Sequence, residues 1–321
     1  MPSPNSVFTE IVTTTLRNHP AEVSDNVSRN NALYRRLSRR GKIKQLSGGY
    51  EIVRPLDYAE NATYQRFSGY DTLNIQASDV ISAAKFDWVQ AAVHVTASGR
   101  ELRMNNGPEQ LVDLAEARTR NAMRTAANNM SVDLYSSGAL ANQMGGLAHI
   151  IQTNGQGTVG GINSTTYSFW RNQFREIAGA NAWTKATIKG EMNALYLSLV
   201  RGGDKPDLIV MSHDFFAAYW ESLQDLQRYA SADEGTAGFR ALKYVDADVI
   251  FDSNTNFATN AERAYFLNTD YLELCVHRDA NWTTSDEKVS TNQDAVVIPM
   301  LWQGQLVCSN RSLQGILIDA S

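Results

Sequence analysis

Gly155, Gly157 and Gly160 are spaced G-x-G-x-x-G, the pattern that lets backbone amides approach a dinucleotide pyrophosphate. That chemistry needs a strand before the first glycine, a helix starting within the motif and an acidic residue about 20 positions on. His149-Ile150-Ile151 offers a short strand. However, Gly161-Ile162-Asn163-Ser164 separates the last glycine from the next helical pattern, and Gly179-Ala180 stands where a second strand should begin. A glycine loop without a cofactor is the better reading. His19, His94, His149, His213 and His277 stand singly, none with a partner at metal-ligand spacing. Asp246, Asp248 and Asp252 alternate like calcium ligands, but Val249-Ile250-Phe251 lies among them and no glutamate closes the loop. No G-x-S-x-G elbow and no G-K-S or G-K-T phosphate loop occurs. The Asn-x-Ser/Thr triplets at Asn26, Asn61 and Asn163 carry meaning only in a secreted chain. Cys275 and Cys308 sit in apolar runs, the setting of inert buried thiols, and are too few for a disulfide framework or a zinc site. Catalytic, cofactor and metal assignments are therefore all none.

The cations are more informative. Residues 17–44 include Arg35, Arg36, Arg39 and Arg40 and carry a local charge of +6, so the remainder sums to −11. Arginine outnumbers lysine 21 to 8, which suits planar forks on carboxylates in protein contacts. The net charge of −5 argues against a chain built to coat nucleic acid. Beyond Tyr34 the cluster lacks interleaved aromatics for base stacking, so an acidic surface on a neighbouring copy is a better partner for it than DNA.

The elements that position these residues follow from patterning. At 321 residues, 43% hydrophobic and 20% charged, the chain suffices for two domains or one large one with extensions. No apolar run approaches the ~20 residues of a membrane span. The polar start Met1–Ser6 is not that of a signal peptide, and a reducing cytoplasm is expected. Val7-Phe8 and Ile11-Val12 suit a short helix, and a second is expected from Ser24 to Arg40, stopped by Gly41. Its stripe of Val27, Leu33, Tyr34 and Leu37 is thin, which predicts docking on a neighbouring copy. Residues 45–84 interleave aromatics with polar residues, glycine and proline, predicting a two-stranded excursion unable to stand alone in water. A strand pair or one long strand is expected from Lys85 to Arg103, then a helix of ~40 Å from Glu109 to Tyr135. Further helices are expected at Ser164–Ala178, Thr187–Arg201 and His213–Tyr229, with Tyr167, Phe169, Trp170 and Phe174 as a core stripe. Strands are expected at Asp207–Met211, Leu242–Phe251, Ala264–Leu267, Tyr271–His277, Ala295–Val307 and Gln314–Ile318. Helices and strands in separate blocks make the class α+β.

Three local sequences carry a resemblance. They are Met144-Gly145-Gly146-Leu147-Ala148-His149-Ile150-Ile151, then Gly157-Thr158-Val159-Gly160-Gly161-Ile162-Asn163 with Thr166-Tyr167-Ser168-Phe169-Trp170-Arg171-Asn172, and Gln305-Leu306-Val307-Cys308-Ser309-Asn310-Arg311 with Gln314-Gly315-Ile316-Leu317. With the order of parts, they resemble the major capsid proteins of tailed bacteriophages, which have the Hong Kong 97-like fold. The resemblance implies an N-terminal arm at 1–44, an extended loop at 45–84, a peripheral domain with a spine helix at 85–137 and an axial domain at 138–268. Returning strands fill 269–321, with a loop at 279–292 that meets others near threefold axes. It implies a structural subunit, not an enzyme, assembling in the host cytoplasm into pentamers and hexamers of an icosahedral head around double-stranded DNA. Implied partners are further copies of itself, a portal protein, a decoration protein and packaged DNA at the inner surface, with no membrane. The arm begins almost at Met1, so a separate scaffolding protein is expected. Candidate intersubunit contacts are Arg35, Arg36, Arg39, Arg40, Arg54, Arg66, Trp282 and Glu287. No lysine occurs between Gln45 and Ala84, which closes the isopeptide route some relatives use. The alternatives are an encapsulin-like compartment shell and, from another class, a dinucleotide-dependent enzyme using residues 155–160.

Overall fold

The continuous apolar runs of the second half of the chain become the central strands of two sheets. A computed structural model describes residues 32–104, 114–177, 183–224, 242–252, 263–284, 288–289 and 294–319. Helix α1 (Ala32–Arg39) ends as the sequence predicts, at Gly41 with φ +65°. There Lys42 N donates to Leu37 O (2.9 Å) and Gly41 N to Ser38 O (3.0 Å), a left-handed stop that glycine adopts without strain. The expected helix residues before Ala32 lie outside the described residues. Strand β1 (Ile43–Leu46) follows, then β2 (Ile52–Asp57) and β3 (Ile81–Phe86), which pair antiparallel from Ile52↔Phe86 to Asp57↔Ile81. The two-stranded excursion is therefore real, with residues 58–80 as its tip.

The range Lys85–Arg103 holds two strands, the end of β3 and all of β4 (Val89–Ser98), and its last residues depart from the expectation by entering a helical turn, α2 (Gly99–Met104). Ser98 and Glu101 form a reciprocal cap. Ser98 N donates to Glu101 Oε2 (3.0 Å) and Glu101 N to Ser98 Oγ (3.2 Å). Arg118 on α3 (Leu114–Asp133) also binds the Glu101 carboxylate, and these bonds lower its pKa. The predicted start of α3 at Glu109 lies outside the described residues.

The next stretch corrects the sequence reading. After a short helix α4 (Leu147–Ile150), residues 164–177 are not a helix, and Ala178 lies outside the described residues. They follow the hairpin β5 (Thr158–Val159) and β6 (Ile162–Asn163) with one 3-10 turn, Ser168–Trp170, and then strand β7 (Gln173–Ile177). Side chains occupy the carbonyls a helix would need. Arg171 donates to Ser164 O (2.8 Å) and Thr165 O (3.1 Å). Of the expected aromatic core stripe only Trp170 is buried, while Tyr167 and Phe174 are half exposed.

Helices α5 (Ile188–Leu199) and α6 (His213–Gln224) and strand β8 (Leu208–Met211) match the sequence pattern, and the rest of the second expected helix, 225–229, lies outside the described residues. The strand expected at Leu242–Phe251 is a hairpin, β9 (Leu242–Tyr244) and β10 (Ala247–Phe251), turning through Val245 at φ +54°. Then come β11 (Arg263–Leu267), β12 (Leu272–Thr284), β13 (Lys288–Val289), β14 (Ala295–Cys308) and β15 (Gly315–Asp319). The expected loop from Asp279 begins instead as the irregular end of β12, whose register on β14 shifts between Val276 and Thr283.

One sheet runs β1-β12-β14-β13, with β4 also paired to β14. The other runs β7-β15-β11-β8-β10-β9. A core of Leu208, Val210, Tyr265, Leu274, Trp302, Leu306 and Ile316 joins them, and a second core lies between the six-stranded sheet and helices α5 and α6. Leu33 and Leu37 are fully buried in the first core. The expectation that α1 docks on a neighbour is thus corrected: two leucines one turn apart suffice because the helix lies on sheets already built. Leu37→Ala should cost about 2–5 kcal/mol of subunit stability in a urea melt. A cost below about 0.5 kcal/mol, that of an ordinary surface change, would remove α1 from the core.

Candidate functional site: an assembly surface

The hairpin β2–β3 has a fixed base and an uncovered tip. At the base, Ile52, Ala84 and Phe86 are buried. Arg54 Nη2 donates to Glu273 Oε2 (2.6 Å) and Cys275 Sγ (2.9 Å), and Trp88 Nε1 donates to Gly49 O (2.9 Å). Beyond Tyr58, whose N donates to Val80 O (3.0 Å), the hydrogen bonds join residues of the tip to one another. Asn61 Oδ1 accepts from Thr63 N, Asp71 Oδ2 from Ser68 N, and Gln65 Nε2 donates to Thr72 O. Tyr64, Phe67, Tyr70, Leu73, Ile75 and Ile81 are exposed around the tip, with Ile75 at 92% and Tyr70 fully so. Such a run of large apolar side chains in water marks a surface that meets a partner.

The glycine loop supports this base. Gly160 O accepts from Lys85 N (2.9 Å), and Gly160 itself has φ +60°. A Cβ there would lie 2.9 Å from Ala84 Cβ and 3.2 Å from Phe86 Cζ, so only glycine allows this approach. No helix opens at the motif; β5 and β6 continue it as a hairpin. The dinucleotide reading therefore loses its structural context. Trp170 Nε1 holds Val159 O (3.0 Å). Asn172 Nδ2 donates to Gln152 O (2.8 Å) and its Oδ1 accepts from Gln152 N (3.0 Å). Arg311 joins this network through Nε to Ile150 O (2.7 Å) and Nη2 to Asn172 Oδ1 (3.0 Å). Its guanidinium is fully buried, which lowers its pKa to about 10. Gln314 forms a two-way amide clamp with the Asn268 backbone, both bonds at 3.0 Å. The residues of the three sequence motifs thus frame the loop that carries the hairpin.

The three arginines of α1 and Arg40 just after it divide by helix phase. Arg36 Nη1 meets Asp248 Oδ2 at 3.1 Å. Arg40 meets Asp207, with Nη2 also 3.3 Å from Asp248 Oδ2 and Nη1 3.2 Å from Thr269 Oγ1. Lys42 Nζ reaches Asp270 Oδ1 at 2.7 Å. Arg35 and Arg39 are exposed. The acidic partner expected on another copy is therefore met, for Arg36 and Arg40, within the chain. Sequence reading missed Asp207 and Asp248; the usable signal was an aspartate at the edge of each of two apolar strands. Of the other contact candidates, Arg54 is tied to Glu273 and Arg66 is exposed on the tip. Trp282, at φ +54°, stacks half-buried on Trp302 at 6.3 Å, and Glu287 lies outside the described residues. Burial raises the Cys308 thiol to about 12 and also raises Cys275, as expected of inert thiols. Among the described residues no three His, Cys, Asp or Glu side chains converge as a metal set.

The sequence profile of the SU10 major capsid proteins matches residues 88–321. No curated protein sequence matches the chain. Among solved structures, a subunit of the cyanophage A-1(L) capsid asymmetric unit is similar with TM-score 0.67 at 16% identity, covering 97% of this chain and 99% of that one. The capsid of Myoviridae phage XM1 gives 0.61 at 10%, covering 95% and 97%. The holo-SrpI encapsulin complex from Synechococcus elongatus PCC 7942 gives 0.58 at 9%, covering 97% and 95%. At such identities these likenesses show the fold, which is that of phage capsid subunits.

Gly160→Val would place a β-branched side chain at positive φ against Ala84, a strain of about 1–3 kcal/mol. Limited trypsin digestion at Lys85 should then quicken by about an order of magnitude, since cleavage follows the open population. An unchanged rate would show that the loop does not hold the hairpin base.

Proposed function

This chain belongs to the SU10 major capsid protein family, and on that premise we propose how its copies hold one another. It is a major capsid protein of phage heads, a structural component of the virion that self-assembles into an icosahedral shell. In our reading the tip at 58–80 lies on the adjacent subunit. The observation that carries this is the exposed set Tyr64, Phe67, Tyr70 and Ile75, uncovered by the chain's own core. Each such side chain contributes on the order of 1.5–3 kcal/mol on burial, before the ordering cost of association. Repeated over every copy, this suits a shell better than any use within one subunit.

The proposal extends to organisation. Residues 1–44 act as an arm anchored through α1 in the subunit's own core, 45–84 as the extended loop, and 85–137 with 269–321 as a peripheral unit. Residues 138–268 form an axial unit around the axes of pentamers and hexamers. Assembly takes place in the host cytoplasm with a separate scaffolding protein and a portal protein. The shell encloses double-stranded DNA, can carry a decoration protein outside, and performs no catalysis. The encapsulin likeness is one of fold at 9% identity, whereas the family profile spans most of this chain and favours the phage head.

Replacing Tyr64, Phe67 and Tyr70 together by serine should leave the subunit melt unchanged and abolish closed particles in electron micrographs. Normal particles from that variant would place the contact elsewhere. The lysine-free loop further means that cohesion is noncovalent. Mature particles boiled in denaturing detergent should run as one monomer band, and a ladder of linked oligomers would refute this.

A further inference from the structure

We propose that Arg35 and Arg39 of α1, with Lys44 beside them in sequence, receive the carboxylates of the extended loop of a second copy, chiefly Asp57 and Glu60. The inference rests on the shell reading and names one contact within it.

Helix phase sets the donor face. Leu33 and Leu37 point into the core, Arg36 and Arg40 turn toward Asp248 and Asp207, and Arg35 and Arg39 are left on the outer face one turn apart. Two like charges at i and i+4 repel, and α1 has no acid in its first turn to offset them. Among the described residues, no carboxylate contacts Arg35, Arg39 or Lys44, all three exposed. A pair of arginine forks so placed matches carboxylates on another surface.

The acceptor face is the tip of the hairpin. Asp57, Glu60, Asp71 and Asp79 are exposed there against a single cation, Arg66. Among the described residues none of these acids meets a cation, although Asp71 accepts from Ser68 N. Elsewhere the acids are mostly matched at home: Asp246 by Lys205, Asp270 by Lys42, Glu273 by Arg54 and Glu191 by Arg175. Four exposed acids without a cation therefore stand together on the loop that also exposes Tyr64, Phe67, Tyr70 and Ile75.

Packaged DNA is the competing partner for the arginines. Phosphates would satisfy Arg35 and Arg39 but leave the loop's carboxylates and aromatic rings uncovered, whereas the loop of another copy answers both deficits at once. Complementary charge at such a rim also fixes orientation and rejects wrong register more than it adds affinity.

The test is a charge swap in the full chain, scored by electron microscopy of the expressed particles. R35E/R39E and D57K/E60K should each give soluble subunits with an unchanged melt and at least about tenfold fewer closed shells. The fourfold variant carrying both swaps should restore them, which an unfolded subunit could not do. Closed shells from R35E/R39E at wild-type yield would overturn the proposal, and their failure to retain DNA would reassign the arginines to the genome. A fourfold variant that does not assemble would overturn it as well. A wild-type chain that forms no particles would overturn the shell reading itself and this contact with it.

Discussion

Arg311 is buried with no carboxylate beside it among the described residues, and the outward-reaching parts of the subunit are fixed through it. Burying a cation this way is costly unless its donors find acceptors. Two are met by Ile150 O at the end of α4 and by the Asn172 amide oxygen. With its pKa near 10, the group remains charged at neutral pH, so that charge must stay on these carbonyls. Asn172 is thereby held on Gln152, the intervening loop is closed, and Gly160 is presented to β3, the returning strand of the hairpin. A long two-stranded excursion can project into water only from a base of this rigidity.

The division of labour on α1 is a matter of angle. Successive residues advance by about 100°, so one eight-residue helix offers a leucine face, a salt-bridged flank and an outward cationic face. The thin apolar stripe that argued against an independent helix is the correct width for one laid across an existing surface. Its stability comes from tertiary packing, as for most short helices in proteins.

Much of the fold was legible. The four-residue run Leu208–Met211, wholly buried, read as a central strand, and α5 and α6 kept helical spacing. The excursion at 45–84 was legible because its aromatics matched no intrachain periodicity. Two failures share a cause. Ser98-Gly99-Arg100-Glu101 and Ser164 to Asn172 both contain polar side chains that bond the backbone, and such local bonds override propensity without leaving a periodic trace. The partners of Arg36 and Arg40 failed differently. They lie 212 and 167 positions away, a distance over which only topology brings charges together.

Lys42 and Arg40 reach Asp270 and Thr269, in the turn where the chain passes from β11 of the six-stranded sheet to β12 of the other. Arg36 and Arg40 at the same time grip Asp248 and Asp207 on the six-stranded sheet. The helix therefore spans a corner as a diagonal brace spans a frame. Its fastenings are half-exposed ion pairs, which salt weakens. The stiffness of the elbow between the two sheets is thus set partly by the surrounding electrolyte, and a shell made of such elbows becomes more compliant as ionic strength rises.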